Sequence, residues 1–474
     1  MTIDKRGVKT IYVDLDHTLL CIDLLRDRLA NTLLHRPLAL FLATYWLLCG
    51  GPARLKAELA ARYPVDPAHL PYNADLLMFL RASRAAGQRL VLATAAPRPW
   101  AEAVAAHLNL FDHVLATTPE TGNLKGRRKL EFILRDSNGE SFGYAGDAGA
   151  DRPILEAAKL SIVVGATGVL AGKNKEHALL FPRLVPGGQP WWQALRPHQW
   201  SKNILLVAPA ISAHRFFEVW PQVLLAFAGF SSAASALYIL NDLFDVDVDR
   251  KHPRKQLRAI PAGRLDPAAA LGLMIFLLVI AGGLSLLLPF KYALVLVCYA
   301  ATNLLYSKQF KSIAVLDVTV LAFLYSVRVF AGGAACGIAV STWLAALTFF
   351  LASSLAHLKR YVETMLLQPG AAAPTRPAYL GEDILWLAIG GVSSGLISVL
   401  VLALYITSPQ IYSLYPKPQL LYIICGLQFY WIERMWMMAY RGKMSSDPIA
   451  FMLTDRNSYM LAAVVLVLTY IAAA

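Results

Sequence analysis

The sequence predicts a Rossmann-like α/β domain with a helical cap, followed by an all-α polytopic membrane domain of about nine transmembrane helices. Three observations point to this. Residues 1 to about 190 mix charged and apolar residues as soluble domains do. From about residue 200 onward, apolar runs recur at roughly 17–23 residues, the length that crosses a hydrocarbon core. And the N-terminal part holds short β-branched runs that end in carboxylates, the pattern of an open sheet with ligands at its strand ends. The expected limits are 1–180 for the soluble domain, 181–195 for a linker and 196–474 for the membrane domain.

In the soluble domain, "KTIYVDLDHTLL" (9–20) reads as a strand ending in D-x-D-x-T, with Asp14 and Asp16 at its carboxyl end. Residues 22–75 are helical in character and interrupt the fold as a cap. Within them "PLALFLATYWLLCGG" (37–51) is very apolar but short for a span. Packing inside the cap is the default, and a monotopic membrane contact is the alternative. "RLVLATAA" (89–96) is an apolar strand ending at Thr94, "NLKGRRKLEFIL" (123–134) opens a lysine-rich helix, and "FGYAGDAGADRPILEAA" (142–158) is a strand followed by GDxxxD.

That order of strand–acid, strand–Thr, Lys and strand–acid resembles the haloacid dehalogenase superfamily of phosphotransferases over about residues 9–170. The resemblance implies a phosphatase with Asp14 as nucleophile and Asp16 as acid and then base. Thr18 and Thr94 would hold phosphate oxygens, although Thr18 also suits a purely turn-fixing role. One lysine would neutralise the nucleophile–phosphate pair, Lys129 being favoured over Lys125. Mg²⁺ would sit on Asp14, the carbonyl of Asp16 and Asp147, assisted by Asp151. Asp151 also suits an N-cap ahead of Arg152–Pro153.

The stretch 181–194, "FPRLVPGGQPWWQA", reads as the linker, its Trp191 and Trp192 suited to a membrane interface. Spans are expected near 203–216, 219–240, 267–288, 291–306, 313–332, 341–358, 383–407, 417–437 and 457–473. The N-terminus has no apolar signal core, so the soluble domain is expected in the cytoplasm. Cations concentrate in the loops that this parity places inside, a positive-inside bias for the inner, cytoplasmic membrane with the C-terminus outside. The net charge of +13 is therefore a matter of topology, and no nucleic-acid partner is implied. The five cysteines are scattered without a CxxC pair, which speaks against a zinc site or disulfide framework.

"YILNDLFDVDVDRKHPRK" (238–255) carries the chemistry of the membrane half. If the helix continues through 249, Asp242, Asp245 and Asp249 share one face with Asn241 at its edge, and Asp247 points nearly opposite. Three such carboxylates repel one another unless a cation lies between them. Hard oxygens suit Mg²⁺, which also binds substrate phosphates. A solvated acid–base loop is the bland alternative, disfavoured by the spacing at a span end.

"NDLFDVDVD" resembles the first aspartate-rich motif of the UbiA superfamily of intramembrane prenyltransferases. In the second motif region, "NLLYSKQFKSIAVLDVTVLAFLYSVRVFAGG" (303–333), only Asp317 is present, and Leu321 stands where DxxxD needs its second acid. With "LRPHQWSKN" (195–203), "HLKRYVE" (357–363) and "DPIAFMLTDRNS" (447–458), the membrane half resembles the polyprenyl-phosphate phosphoribosyltransferase branch over residues 190–474. The resemblance implies phosphoribosyl pyrophosphate as donor and a polyprenyl phosphate as acceptor, with one Mg²⁺ in this domain as in the other. Lys202, Arg258, Lys308, Lys311, Arg328, Lys359 and Arg360 would hold phosphates, beside Asp317. Arg328 lies mid-span, where a charge is costly and usually functional; an ion pair with Asp317 is its structural alternative. Lys359 and Arg360 suit simple topology charges as well. The expected reaction pair is transfer of 5-phosphoribose to the lipid phosphate, then loss of the 5-phosphate. An aromatic prenyltransferase fused to an unrelated phosphatase is the rival, and a transporter using Arg328 is the non-enzyme rival.

Overall fold

The computed structural model describes residues 8–36, 38–147, 149, 151–165, 178–181, 189–366, 378–444, 448–452 and 454–473. Residues 182–188 of the expected linker, Asp447 and residue 453 lie outside these. The chain divides into two compact units: residues 1–195 with 239–273, and residues 196–238 with 274–474. The acidic stretch, which follows a membrane helix in sequence, thus groups with the N-terminal unit.

In the first unit the strands are β1 (Thr10–Val13), β2 (Arg89–Pro97), β3 (His113–Thr117), β4 (Phe142–Asp147), β5 (Leu160–Val164) and β6 (Ala178–Phe181). They form one all-parallel sheet in the order β3-β2-β1-β4-β5-β6. Alternation decides which face each side chain covers. Ile11, Val13, Leu90 and Leu92 join a core on one side with Trp100, Leu76 and Leu80. Tyr12, Val91, Ala93 and Tyr144 join Ile133, Ile154 and Leu155 on the other. Burial on both faces is what an all-parallel sheet requires. The strand order reverses between β1 and β4, so the carboxyl ends of β2, β1 and β4 frame a crevice.

The cap follows β1 as α1 (Leu24–His35) and α2 (Ala39–Arg62). Asp23 caps α1 through the Arg26 amide. α2 bends at Gly51, whose φ of +68° a side chain would resist, and Pro52 follows. Among the described residues of 37–51 the default expectation of core packing holds for Ala39, Ala43 and Trp46, while Leu38, Phe41, Leu42, Tyr45 and Leu48 are exposed. After the cap, α3 (Ala74–Ala85), α4 (Arg98–Leu108), α5 (Arg127–Asp136) and α6 (Arg152–Ala157) cover the sheet, and α7 (Gln189–Leu195) carries Trp191 and Trp192.

In the second unit the expected first span, 203–216, is a correction. Residues Pro197–Val207 form a 3₁₀ run and α8 (Ala208–Ser212) is five residues long. Pro197 and Pro209 each lack the amide that an α-helical ladder needs. The 3₁₀ run lies against α13 (Leu316–Cys336), and a Cβ at Gly332 would stand 2.0 Å from the Leu206 carbonyl oxygen. The remaining helices are α9 (Phe216–Phe244), α10 (Val246–Arg250), α11 (Pro267–Leu286), α12 (Phe290–Lys308), α14 (Thr342–Met365), α15 (Ile384–Ile406), α16 (Leu421–Tyr440), α17 (Pro448–Met452) and α18 (Arg456–Ala473). Of these, α9 begins in the second unit and ends in the first, as residues 239–244, α10 belongs to the first unit, and α11 begins in the first, as residues 267–273, and ends in the second. Among the described residues five segments are both long and apolar enough to cross a membrane: Phe216–Phe244, Pro267–Leu286, Leu316–Cys336, Gly381–Ile406 and Arg456–Ala473. A count of nine is not reached by that measure, and the protein is multi-pass. α13 packs between α12 and α14, and α14 against α15. The cores are aromatic-rich, with Phe230, Tyr292 and Tyr299 in one and Tyr361, Trp436 and Leu387 in another.

Candidate functional site

The phosphatase-type centre begins where β1 ends. The Asp14 amide donates to the Ala145 carbonyl (2.8 Å), which locks the carboxyl ends of β1 and β4 together. The following turn places His17 at φ +56°, a strained value for a side-chain-bearing residue, and so projects Asp14, Asp16 and Thr18 within five residues. The Asp14 carboxylate accepts from the Leu15 amide at 2.8 Å and faces Lys129 Nζ at 3.1 Å. Lys129 is buried, and its ammonium also reaches Asp151 (3.1 Å) and the Tyr144 hydroxyl (3.0 Å). Tyr144 donates in turn to Asp151 at 2.5 Å. Lys125 is exposed, whereas Lys129 is the lysine in contact with Asp14. Asp151 stands at the start of α6 but its side chain does not cap the helix; it orients the lysine.

Burial pushes Asp14 well up from the usual carboxylate range; Lys129 pulls it down, and the Asp151 and Asp16 charges push it further up. Two buried carboxylates thus share one ammonium, a surplus of negative charge. Asp16 accepts from the Leu24 amide at 2.9 Å. Burial, then the Asp23 charge, push it up to about 7 against that bond and the Lys56 and Lys129 charges. Thr18 Oγ1 is buried with no hydrogen-bond partner among the described residues, while Thr94 Oγ1 accepts from the Ala96 amide at 3.0 Å. Asp147 ends β4, half-buried, and its charge acts on Tyr144. An orphaned hydroxyl and surplus carboxylate charge suit a phosphate with a divalent cation. Among the described residues no three His, Cys, Asp or Glu side chains form a ready-made metal cage. Mg²⁺, which keeps several waters, does not need one.

Sequence reasoning missed two members of this centre. Lys56, from the cap helix α2, is buried and donates to the Ala95 carbonyl (2.7 Å) and Asn123 (2.8 Å), and its charge acts on Asp16. No local motif marks it, because the cap delivers it from outside the sheet. Tyr144 could have been found: it lies on β4 three residues before Asp147.

The acidic stretch differs in detail from the expected single helix. α9 ends at Phe244, Asp245 leaves helical geometry (φ −93°, ψ 10°), and α10 resumes at Val246. The bonds Asp245 N–Asn241 O (2.9 Å) and Asp249 N–Asp245 O (2.7 Å) still bridge the break. Asp242 and Asp249 are buried, and Arg258 Nη1 bridges them at 3.0 and 2.6 Å. Arg258, expected at a phosphate, is therefore placed as the counter-charge of two carboxylates. Burial pushes Asp249 up; Arg258 and Lys255 oppose this, and Asp242 and Asp245 reinforce it. The donor set fits a divalent cation: hard oxygens that repel one another and already draw a positive group between two of them.

Asp247, the acid off the face, has a different task. Arg28 of α1 donates to both its oxygens (2.6 and 3.2 Å) and Asn31 to one (2.9 Å). Arg250 forks onto Asp27 (2.8 and 3.0 Å). Asp27, Arg28 and Arg250 are buried, and burial alone would raise Asp27; pairing with Arg250 and then Arg28 holds it below the usual range. The following loop reaches Gly263 at φ +70°, where a Cβ would meet Ile22 at 2.6 Å. So the acidic stretch is clamped to the cap helix that follows the D-x-D-x-T turn.

In the second unit, Asp317 is fully buried and paired to Arg360, whose Nε and Nη2 donate at 2.5 and 2.8 Å; Tyr306 adds a bond of 2.7 Å. Arg360 also pairs with Glu363, as does Lys359 at 3.9 Å. The alternative partnership of Arg328 with Asp317 is therefore overturned, because Arg360 occupies that carboxylate. Arg328 is buried, donates to Asn203 at 2.9 Å and to the Leu324 carbonyl, and lies 5.1–5.5 Å from the rings of Tyr299, Phe230 and Tyr325. Among the described residues no carboxylate pairs with it. Lys202 stands over Tyr325 as well, at 5.7 Å. Lys308 is exposed and Lys311 half-buried at the far end of α12 and beyond.

Comparison with known proteins finds two families along the chain. Residues 204–457 match the UbiA prenyltransferase family and residues 11–156 the haloacid dehalogenase-like hydrolases. Protein y4nM of Sinorhizobium fredii is 35% identical over 95% of this chain and 89% of its own length. Nodulation protein NoeC of Azorhizobium caulinodans is 32% identical over 60% of this chain and 92% of that protein. Decaprenyl-phosphate phosphoribosyltransferase of Corynebacterium glutamicum is 38% identical over 37% of this chain and 54% of that enzyme. The Mycobacterium tuberculosis enzyme of that name is 36% identical over 38% of this chain and 62% of its own length. Among solved structures, a UbiA homolog from Archaeoglobus fulgidus bound to GPP and Mg²⁺ aligns at 17% identity and a TM-score of 0.46, over 59% of this chain and 99% of that one. The chain belongs to the UbiA prenyltransferase family, with a haloacid dehalogenase-like hydrolase domain at its N-terminal end.

Proposed function

We propose that this bifunctional membrane enzyme transfers 5-phosphoribose from phosphoribosyl pyrophosphate to a polyprenyl phosphate and then removes the 5-phosphate, leaving polyprenyl-phosphoryl-ribose. The observation that carries the reading is the state of the second motif. Asp317 has no second acid beside it and is spent on Arg360, while Arg328 is buried without a carboxylate. A sequence with one aspartate-rich motif and a lone acid in the second motif region suits a single diphosphate plus further phosphates. The likeness to decaprenyl-phosphate phosphoribosyltransferases supports it. An inner-membrane location with the phosphatase in the cytoplasm follows from the positive-inside bias.

In the transfer step the lipid phosphate oxygen attacks the anomeric carbon as the bond to the diphosphate breaks, with inversion. The nucleophile is already an anion, so no strong general base is needed. Asp242, Asp245 and Asp249 would hold Mg²⁺, which offsets the charge building on the departing diphosphate. Lys202, Arg328, Lys308, Lys311 and Lys359 would bind phosphate oxygens, with Asn241 at the edge of the acidic face. In the second step Asp14 attacks phosphorus to form an aspartyl phosphate while Asp16, its carboxyl pushed up to about 7 and so part-protonated near neutrality, gives its proton to the leaving 5-oxygen. Asp16 then takes a proton from the water that releases phosphate. Lys129, held by Asp151 and Tyr144, balances the added charge, and Thr18 and Thr94 take phosphate oxygens. Asp14 and Asp147 with the Asp16 carbonyl would hold the Mg²⁺ of this centre.

The purified full chain given ribose-labelled phosphoribosyl pyrophosphate and polyprenyl phosphate is expected to yield labelled lipid. Reaction only with a prenyl diphosphate and an aromatic acceptor would overturn the reading.

A further inference from the structure

The first half of α2 presents an apolar stripe that no described residue covers. Leu38, Phe41, Leu42, Tyr45 and Leu48 are 75, 73, 45, 54 and 80% exposed. Their spacing of three and four residues puts them on one face. The opposite face, with Ala39, Ala43 and Trp46, is buried. Two further observations say what lies against that stripe.

The first is charge. Residues 28–57 contain Arg28, His35, Arg36, Arg54 and Lys56 and not one Asp or Glu. Arg36 and Arg54, both exposed, flank the stripe at its two ends. An apolar face bracketed by cations complements an anionic lipid surface, whose headgroups take the charges while the acyl boundary takes the side chains. The second is position. The His35 ring meets the ring of Phe244 edge-on at 5.6 Å, and Phe244 is the last residue of α9, a helix long and apolar enough to span. Asp27, Arg28 and Asn31 clamp α1 to α10, the short helix that follows that span. Leu38 follows His35 by three residues, so its backbone lies within about 11 Å of that contact. The stripe therefore starts beside the point where a membrane helix ends.

We propose that the Leu38–Leu48 face of α2 lies in the headgroup layer of the anionic bilayer that holds the rest of the chain. Beyond the bend at Gly51–Pro52 the same helix carries Lys56 to the phosphatase centre. The helix thus ties that centre to the lipid surface. Resting on the function proposed above, this makes its substrate a phosphomonoester carried on a lipid rather than a soluble one.

The test uses the full chain lacking its five native cysteines, in nanodiscs of phosphatidylglycerol and phosphatidylcholine. Nitroxide labels at Phe41→Cys and Leu48→Cys are expected to collide more with oxygen than with a nickel chelate. A label at the exposed Ala61→Cys is expected to do the reverse. Chelate-dominated collisions at 41 and 48 would overturn the proposal, as would low collision with both reagents, the mark of coverage by a second copy. In the native-cysteine protein, Phe41→Ser/Leu48→Ser should lower hydrolysis of the lipid-borne 5-phosphate at least tenfold and leave hydrolysis of p-nitrophenyl phosphate unchanged. Equal loss on both substrates would overturn the tethering role. Immersed labels in a wild-type protein that hydrolyses no lipid phosphomonoester would leave the membrane contact standing and sink the function reading instead.

Discussion

Lys129 shows how much one side chain carries. It is buried between Asp14 and Asp151, and no water can replace its charge there. Lys129→Met should lose phosphatase activity and also cost about 3–5 kcal/mol of stability, because two buried carboxylates are left without their counter-ion. Tyr144→Phe removes one hydroxyl from the same group and should cost about 1–3 kcal/mol. Thermal unfolding of the full chain beside phosphatase turnover checks both. In the acidic stretch, Asp245→Asn should abolish transfer and spare phosphatase turnover, as assays of the two activities on one preparation would show. Much of the placement was legible: D-x-D-x-T follows β1, GDxxxD joins the end of β4 to the start of α6 and Lys129 lies in the first turn of α5, while Thr94 sits inside β2, which runs on to Pro97; the roles expected of them come from the resemblance. Arg258, Arg328 and Asp151 were less legible, since each takes a partner that local spacing does not name. Arg258 is drawn onto Asp242 and Asp249 by the nearest uncompensated charge, and Arg328 settles among aromatic rings because Arg360 has already neutralised Asp317.

At the scale of elements, α1 and the acidic stretch are joined by a buried charge network, Asp27–Arg250 and Arg28–Asp247. Asp27→Asn should destabilise the N-terminal unit by about 3–5 kcal/mol, since Arg250 would remain buried and half-satisfied. A double-mutant cycle with Arg250→Met should show strong coupling, the double change costing less than the sum. The sign with pH follows from the lowered Asp27 carboxyl: its contribution is full above the ordinary carboxylate range near 4 and is lost as pH falls through its folded value. Acid titration of unfolding should therefore be shallower below about pH 4 in Asp27→Asn than in the parent. The elements themselves were read well where periodicity was strong. The sheet follows from buried β-branched runs, and the later membrane helices from their length. The first span failed because apolar composition does not distinguish a 3₁₀ run from an α-helix, and Pro197 and Pro209 decide between them. Gly332 is the packing consequence: Gly332→Ala brings a methyl onto the Leu206 carbonyl and should cost about 1–3 kcal/mol by overpacking.

For the molecule as a whole, the fusion makes chemical sense only if one product is the other domain's substrate. A phosphoribosyl lipid carries a phosphomonoester that a phosphatase can remove; a prenylated aromatic does not. The break in composition near residue 200 made the two halves legible from sequence, but not the grouping of residues 239–273 with the N-terminal unit. That grouping rests on Asp27, Arg28 and Asn31 meeting Asp247 and Arg250 far along the chain, which no local pattern encodes. The most direct test of the central claim is a double-label transfer. Phosphoribosyl pyrophosphate labelled with ¹⁴C in the ribose and ³²P in the 5-phosphate is given with polyprenyl phosphate to the full chain in nanodiscs. The account predicts lipid carrying ¹⁴C without ³²P from the parent and lipid carrying both from Asp14→Asn. A lipid that keeps ³²P in the parent, or no labelled lipid from either protein, would contradict it.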